Sequence, residues 1–373
     1  MSQTGGPVVD NRDELSPGDR RGLQGLRETT RLTLARPKGR GGQLFAKYAL
    51  VLLGVALFAV FSAALSQTFP TTNTVDSILS DQSIVALLAL AELLVISVGH
   101  YDLSVGYGVG VLQLFTLGLL FRDGIAWPLI ILIILGFGAV IGLVNGLLVT
   151  VVKIDSFIAT LGVGYFLFGI SEWYSGGEEI IGKTFPHAFG TVYFGTVLGI
   201  PAPAIYIFVL SVIMWVVLQY LPTGRYMYAI GSNQRAAELS GIRVRRYTLG
   251  AFVAGGMIVA VAGVLLGANL QVGQSNIGPT FLLPAFVGAL LGATAIKPGR
   301  VNVWGTIVAV LVLGIGIAGI EQLGGKFYTT PLFDGGTLIV SVGAAGFAAR
   351  RQRARTQRRD EAALAEAQAP PSR

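Results

Sequence analysis

Residues 99–106 read GHYDLSVG, and they interrupt two apolar runs: SIVALLALAELLVISV (83–98) before and YGVGVLQLFTLGLLF (107–121) after. Each run has the greasy character of a membrane helix, for which about 20 mostly apolar residues are needed. Between them stand His100, one of only two histidines in the chain, and Asp102, Ser104 and Tyr101. An ionisable group at the bilayer centre costs roughly 2.5–3.5 kcal/mol. It is tolerated where backbone breaks, lines a cavity or lies at a wet helix end. The segment is therefore read as a polar break between two spans. Asp102 or Ser104 is placed to accept from the free N–H groups that open the second helix. The alternative is an inner gate or solute pathway through the same residues. A proton relay through His100 and Asp102 is the weakest reading, because no carboxylate chain continues it.

The rest of the chain supports a polytopic membrane protein. Of 373 residues, 53% are hydrophobic and 13% charged, against roughly 25% charged in soluble domains. Ten candidate spans follow, at 46–66, 82–98, 104–121, 127–152, 156–174, 203–221, 248–268, 280–295, 302–321 and 335–349. The third, eighth and tenth are short or glycine-rich and are candidates for broken or re-entrant segments. The fold class is thus an all-α bundle of about ten transmembrane helices. It is flanked by a basic N-terminal tail (1–45) without signal-peptide character and a charged C-terminal tail (350–373). Alternating the spans from a cytoplasmic N-terminus leaves 24 of the 27 Lys and Arg inside and only Arg122, Lys183 and Lys326 outside. This bias favours an even count with both ends cytoplasmic. Gly138, Gly142 and Gly146 on one span, Gly263 and Gly267 on another, and Gly288 and Gly292 on a third recur at spacings that let helices approach closely.

With no cysteine and two distant histidines, a His/Cys zinc cluster is excluded. The net charge of +7 resides in the tails and one internal loop and is no nucleic-acid signal. GEEIIGKT (177–184) matches the phosphate-binding pattern G-x-x-x-x-G-K-[ST]. The match lacks the strand before it and the helix after it, and it places Glu178 and Glu179 against a polyphosphate, so it is read as chance. No nucleophile–base pairing suggests a membrane enzyme.

The longest inside loop, 222–248, contains SNQRAAELSGI. Ser232 or Asn233 is placed to cap a short helix that Gly241 ends. Ala236, Ala237 and Leu239 offer a small apolar ridge between Arg235 and Glu238, suited to a partner's groove. A solvated connector is the plain alternative.

This loop, GRYMYAIGSNQRAAELSGIRVRR, resembles the cytoplasmic loop of permease subunits of bacterial ribose-type sugar ABC importers, which read like GRYIYAIGGNEEAARLSGI. GHYDLSVG resembles their GGIDLSVG, and FIATLGVGYFLFGISEWYSGG (157–177) and GATAIKPGRVNVWGT (292–306) match two further segments in order. The likeness runs from about 80 to 345. It implies a coupling helix at Asn233, Arg235, Ala236, Ala237, Glu238, Leu239, Ser240, Gly241 and Ile242. That helix would sit on a cytoplasmic ATP-binding subunit, which uses ATP and Mg, while this chain binds no cofactor. It also implies an extracytoplasmic solute-binding protein, a second permease copy, and an inner-membrane location. The solute is expected to be a sugar, a polyol or another small hydroxylated molecule. Pathway or gate candidates are His100, Asp102, Ser104, Thr160, Asn269, Gln271 and Gln274, with Glu92, Tyr165, Glu172, Trp173, Asn276 and Glu321 nearby. Two departures put ribose itself in doubt. His100 and Tyr101 replace Gly and Ile, and TFLLPAFVG (280–288) stands where many relatives have YELDAIAA. A stand-alone secondary transporter driven by an ion or proton gradient is the rival reading.

Overall fold

The computed structural model describes residues 40–339 apart from Pro298 and Phe327, with side chains described from Tyr48 onward. The tail readings for 1–39 and 350–373, and the tenth span beyond residue 339, lie outside the described residues. The chain divides into two units, 1–45 and 46–373, and the description here concerns the second.

Its elements are α-helical apart from four two-residue strands. In order they are α1 (Arg40–Ala64), α2 (Thr72–Ser97), α3 (Ser104–Phe121), α4 (Trp127–Leu147), α5 (Ser156–Ser175), β1 (Ile180–Ile181), α6 (His187–Phe194), β2 (Thr196–Val197), β3 (Ile200–Pro201), α7 (Ala202–Gln219), α8 (Pro222–Ser232), α9 (Gln234–Leu239), α10 (Val244–Leu270), β4 (Val272–Gly273), α11 (Pro279–Gly292) and α12 (Val303–Gln322). A last helical stretch covers 329–339. A π-helical turn, Leu148–Val152, extends α4 and ends at Lys153 in the left-handed region (φ 66°). The strands form two antiparallel pairs, β1 with β4 (Ile180 opposite Gly273) and β2 with β3 (Thr196 opposite Pro201).

Seven described helices are long and apolar enough to cross a membrane, and two shorter apolar ones, Tyr48–Ala64 and Pro279–Gly292, accompany them. The chain is an all-α polytopic membrane protein. The third span, suspected of being broken, is one continuous 18-residue helix, whereas the eighth, α11, is short at 14 residues and carries Pro284. The 222–248 loop is more ordered than its sequence suggests: α8 and α9 fill it, and α10 already starts at Val244.

Apolarity all round a helix marks a central position, and α2 fits, burying Ile84 through Val95 without interruption. Around it pack α7, α10, α11 and α12. The outer helices instead present large apolar side chains outward, as Leu132 on α4 (66% exposed) and Phe166 on α5 (70% exposed) do. Such a surface suits lipid and not water.

The glycine spacing has its expected consequence. On α4, Gly138 and Gly142 meet the backbone of α10 at Gly256 and Phe252; a Cβ at Gly142 would fall 2.8 Å from the Val253 Cα. With lipid outside and apolar side chains inside, close backbone contact of this kind replaces the hydrophobic effect as the source of helix association.

Candidate functional site

The GHYDLSVG segment forms the turn from α2 to α3, and its polar groups are almost fully paired. Asp102 is 3% exposed. Its Oδ1 accepts from the Ser104 N–H (2.9 Å), the Ser104 hydroxyl (2.6 Å) and Asn145 Nδ2 of α4 (3.3 Å). Asp102 thus accepts from the opening turn of α3, one of the two capping arrangements the sequence allows. Ser104 binds sideways to Asn145 instead, accepting from its Nδ2 at 2.7 Å. The Asp102 N–H in turn donates to both oxygens of the fully buried Glu92 carboxylate at 3.2 and 3.3 Å. From α5, the Thr160 hydroxyl accepts from Leu103 N–H at 2.9 Å and donates to Ser156 C=O at 2.7 Å, and the Ser156 hydroxyl accepts from Tyr101 N–H at 3.2 Å. One five-residue turn therefore ties together α2, α3, α4 and α5. Buried polar groups so connected fix a single arrangement, because each lost partner leaves another group desolvated and unpaired.

His100 and Tyr101 are not part of this network through their rings. His100 lies 6.3 Å from Phe252 and Tyr101 5.6 Å from Phe286 of α11, centroid to centroid. The two sequence departures, at 100–101 and 280–288, thus touch each other.

The turn also leans on the α8–α9 end of the bundle. Gly99 takes a left-handed conformation (φ 83°), and its backbone abuts Gly231 of α8; a Cβ at Gly231 would lie 3.1 Å from the Gly99 nitrogen. No side chain fits between them. Beyond Gly231, Asn233 caps α9 by accepting from Ala236 N–H (3.0 Å), and Gly241 (φ 80°) closes it by donating to Glu238 C=O (3.0 Å). On α9, Arg235, Ala236, Glu238 and Leu239 project outward, Leu239 being 85% exposed, and Ser240 and Gly241 continue that surface with Ile242 half-buried behind them. Ala237 corrects the expected ridge. It is 4% exposed and belongs to the core, because a helix this short turns one of two adjacent alanines inward. The Gly-Arg…Trp-Gly-Thr segment closes on α8 as well. The Tyr228 hydroxyl donates to Val301 C=O (3.0 Å), and the Arg300 guanidinium lies 3.3 Å from the Tyr228 ring centroid. Burial pushes the Tyr228 phenol above its ordinary range, with Arg300 pulling the other way. Lys297 donates to Gln219 at the end of α7.

At the opposite end of α2 a cleft of about 940 Å³ opens between α2, α11, α12 and 329–339. Asp81, Gln82, Glu321, Gln322, Thr330 and Asp334 supply its polar wall, and Val85, Phe281, Pro284 and Ile317 its apolar one. Of the seven sequence-derived pathway candidates, none lines this cleft. His100, Asp102, Ser104 and Thr160 gather at the hinge. Asn269, Gln271 and Gln274 gather at the C-terminal end of α10, where Gln271 is the left-handed cap (φ 58°). There the fully buried Gln113, unremarked in the sequence, donates to Val272 C=O (2.6 Å) and accepts from Gln274 N–H (3.3 Å), while Gln274 Nε2 donates to Glu179 (3.0 Å). These groups staple the β1–β4 pair to α3. The phosphate-loop match, Gly177–Thr184, runs through β1 and continues into an irregular stretch, with α6 opening only at His187.

Residues 74–342 match the family model described as the branched-chain amino acid transport system permease component. The chain is 32% identical over 290 residues to the ribose import permease protein RbsC of Bacillus subtilis (strain 168), covering 78% of this chain and 90% of that one. It is 34% identical over 278 residues to the autoinducer 2 import system permease protein LsrD of Escherichia coli (strain K12), covering 73% and 84% respectively. No solved structure matches. The bundle, its hinge and its matched motifs thus belong to one assignment: the chain is a member of the membrane-spanning permease family of ABC importers.

Proposed function

We propose that this chain forms the translocation pathway of an ATP-driven importer for a small hydroxylated solute, a sugar or polyol. It resides in a bacterial inner membrane with both termini in the cytoplasm. It works as a pair of permease copies, receives solute from an external binding protein, and is driven by a cytoplasmic ATP-binding subunit that holds the ATP and Mg. The chain itself contributes no cofactor site and no covalent chemistry.

The observation that carries this reading is the mounting of α9. It is a capped, outward-facing helix with an exposed Leu239, and it is joined through α8 to the Gly99–Gly231 backbone contact. A compressible side chain between α8 and the hinge would absorb motion; two abutting backbones transmit it. When the ATPases close, α9 is drawn inward and α8 presses on Gly99. The 99–103 turn then moves α2, α3, α4 and α5 together, because Glu92, Asp102, Asn145 and Thr160 hold their ends as one body. The movement opens the cleft at the far end of α2, the rigid-body form of alternating access. Tyr101 against Phe286 lies on α11 beyond the cleft's Phe281 and Pro284, and serves as the inner closure.

The test is capture of the ATPase from gently solubilised membranes. Full-length chain should co-purify an ATP-binding subunit, and Leu239→Arg should abolish capture without altering the thermal unfolding of the permease. A rival secondary transporter predicts solute uptake by the purified chain alone, collapsed by uncouplers and indifferent to ATPase loss.

A further inference from the structure

The cleft has an electrostatic character that a neutral sugar does not require. Three carboxylates line it, Asp81 on α2, Glu321 on α12 and Asp334 on 329–339, and no Lys, Arg or His among the described residues lines it with them. Asp81 and Glu321 are within electrostatic reach of each other. Thr330 donates to one oxygen of Glu321 at 3.3 Å. Asp334 stands apart. It is 4% exposed, it lines the cleft, and its Oδ1 has no hydrogen-bond partner among the described residues. A buried, unpaired carboxylate oxygen is costly and calls for a donor that the described residues do not supply. The rest of the wall supplies partners for hydroxyls: Gln82, Thr280, Ser77 and Asn73 join Gln322, whose Nε2 already donates to Thr74 at 3.1 Å. Among the described residues no three acidic or imidazole groups gather closely enough to hold a metal ion. The negative charge is spread along a cleft whose volume suits a small organic molecule.

From these features we infer that the cleft selects solutes carrying a protonated amine beside hydroxyl groups, with Asp334 taking an ammonium N–H and Asp81 and Glu321 supplying the surrounding field. This rests on the permease reading above and names the solute class for its pathway. The ammonium supplies the donor that Asp334 lacks, and its charge offsets a repulsion between carboxylates that a neutral polyol would leave standing. Recognition of this kind differs from a general attraction for cations in needing both the charge and the neighbouring hydroxyls.

The full-length chain in lipid nanodiscs, titrated calorimetrically with D-glucosamine and with D-glucose, tests it, because the two probes differ by one amine. Glucosamine is expected to bind about tenfold or more tightly than glucose. Asp334→Asn should erase that preference, and Asp123→Asn, an exposed acid outside the cleft, should leave it intact. Asp81→Asn gives an independent variant should Asp334→Asn fold poorly, with a reduced preference expected. Equal binding of the two sugars, or no binding of either, overturns the inference. So does calcium chloride displacing glucosamine while binding more tightly itself, which makes the cleft an inorganic-cation site. If the preference is absent while the ATPase still co-purifies through α9, the solute class alone falls. If the ATPase is also absent, the permease reading falls with it.

Discussion

The two ends of α2 treat buried acids in opposite ways. At the hinge, Asp102 accepts from Ser104 and Asn145, and Glu92 accepts from the Asp102 backbone. At the cleft, Asp334 is as deeply buried and keeps an oxygen unpaired. Satisfied acids fix a structure, and an unsatisfied one is a poor structural element but a ready binding group. In the proposed transport cycle, the contrast assigns rigidity to the end that would receive force and chemistry to the end that would receive solute. In the alternating-access reading these are the properties each end needs.

Removing the hinge acid should be the most damaging change. Asp102→Leu leaves the Ser104 N–H and hydroxyl without their buried acceptor and Asn145 with Ser104 alone, and about 3 kcal/mol or more of stability should be lost, read as a fall in the thermal midpoint of the purified chain. Gly142→Leu comes next. It drives a side chain into the α10 backbone at Phe252 and Val253, and overpacking of this order costs about 1–3 kcal/mol or more. Asn233→Ala removes only the α9 cap, for about 1 kcal/mol. Its main effect should be weaker ATPase capture with nearly unchanged global unfolding. Asp334→Asn should be the mildest in stability, within about 1 kcal/mol of the parent, because Oδ1 has no partner to lose among the described residues. If Asp334→Asn proves as destabilising as Asp102→Leu, the contrast between the two ends is wrong.

How much of this was legible in the sequence depends on how local the signals were. The α9 helix was readable because its start and stop, Asn233 and Gly241, lie within a few residues of it. The tight α4–α10 contact was readable in part, because Gly138 and Gly142 repeat along one helix. The hinge was half legible: GHYDLSVG announced a break, but Asn145 carries no mark in sequence that its partners, Asp102 and Ser104, lie far along the chain. Glu92 stood out only as an acid in a span, and its bond to Asp102 depends on α2 ending where it does. The cleft was missed for the same reason. Asp81 is separated from Glu321 and Asp334 by most of the chain, and Glu321 stood out only as an acid near a span; Asn269, Gln271 and Gln274 instead form a conspicuous polar cluster, of which Gln271 caps α10 and Gln274 staples β4. Ala237 shows the opposite error: two adjacent alanines look alike in sequence, and only the packed helix separates the exposed one from the buried one.

In the proposed cycle, α9 passes force from an external motor through Gly231 and Gly99 to the hinge. Its most direct measurement is ATPase turnover and solute uptake in proteoliposomes holding the full importer with Gly231→Leu, beside the parent. The variant is expected still to capture and support the ATPase, while uptake per ATP hydrolysed falls by about tenfold or more as contact at Gly99 is displaced. Uptake per ATP equal to that of the parent would contradict it.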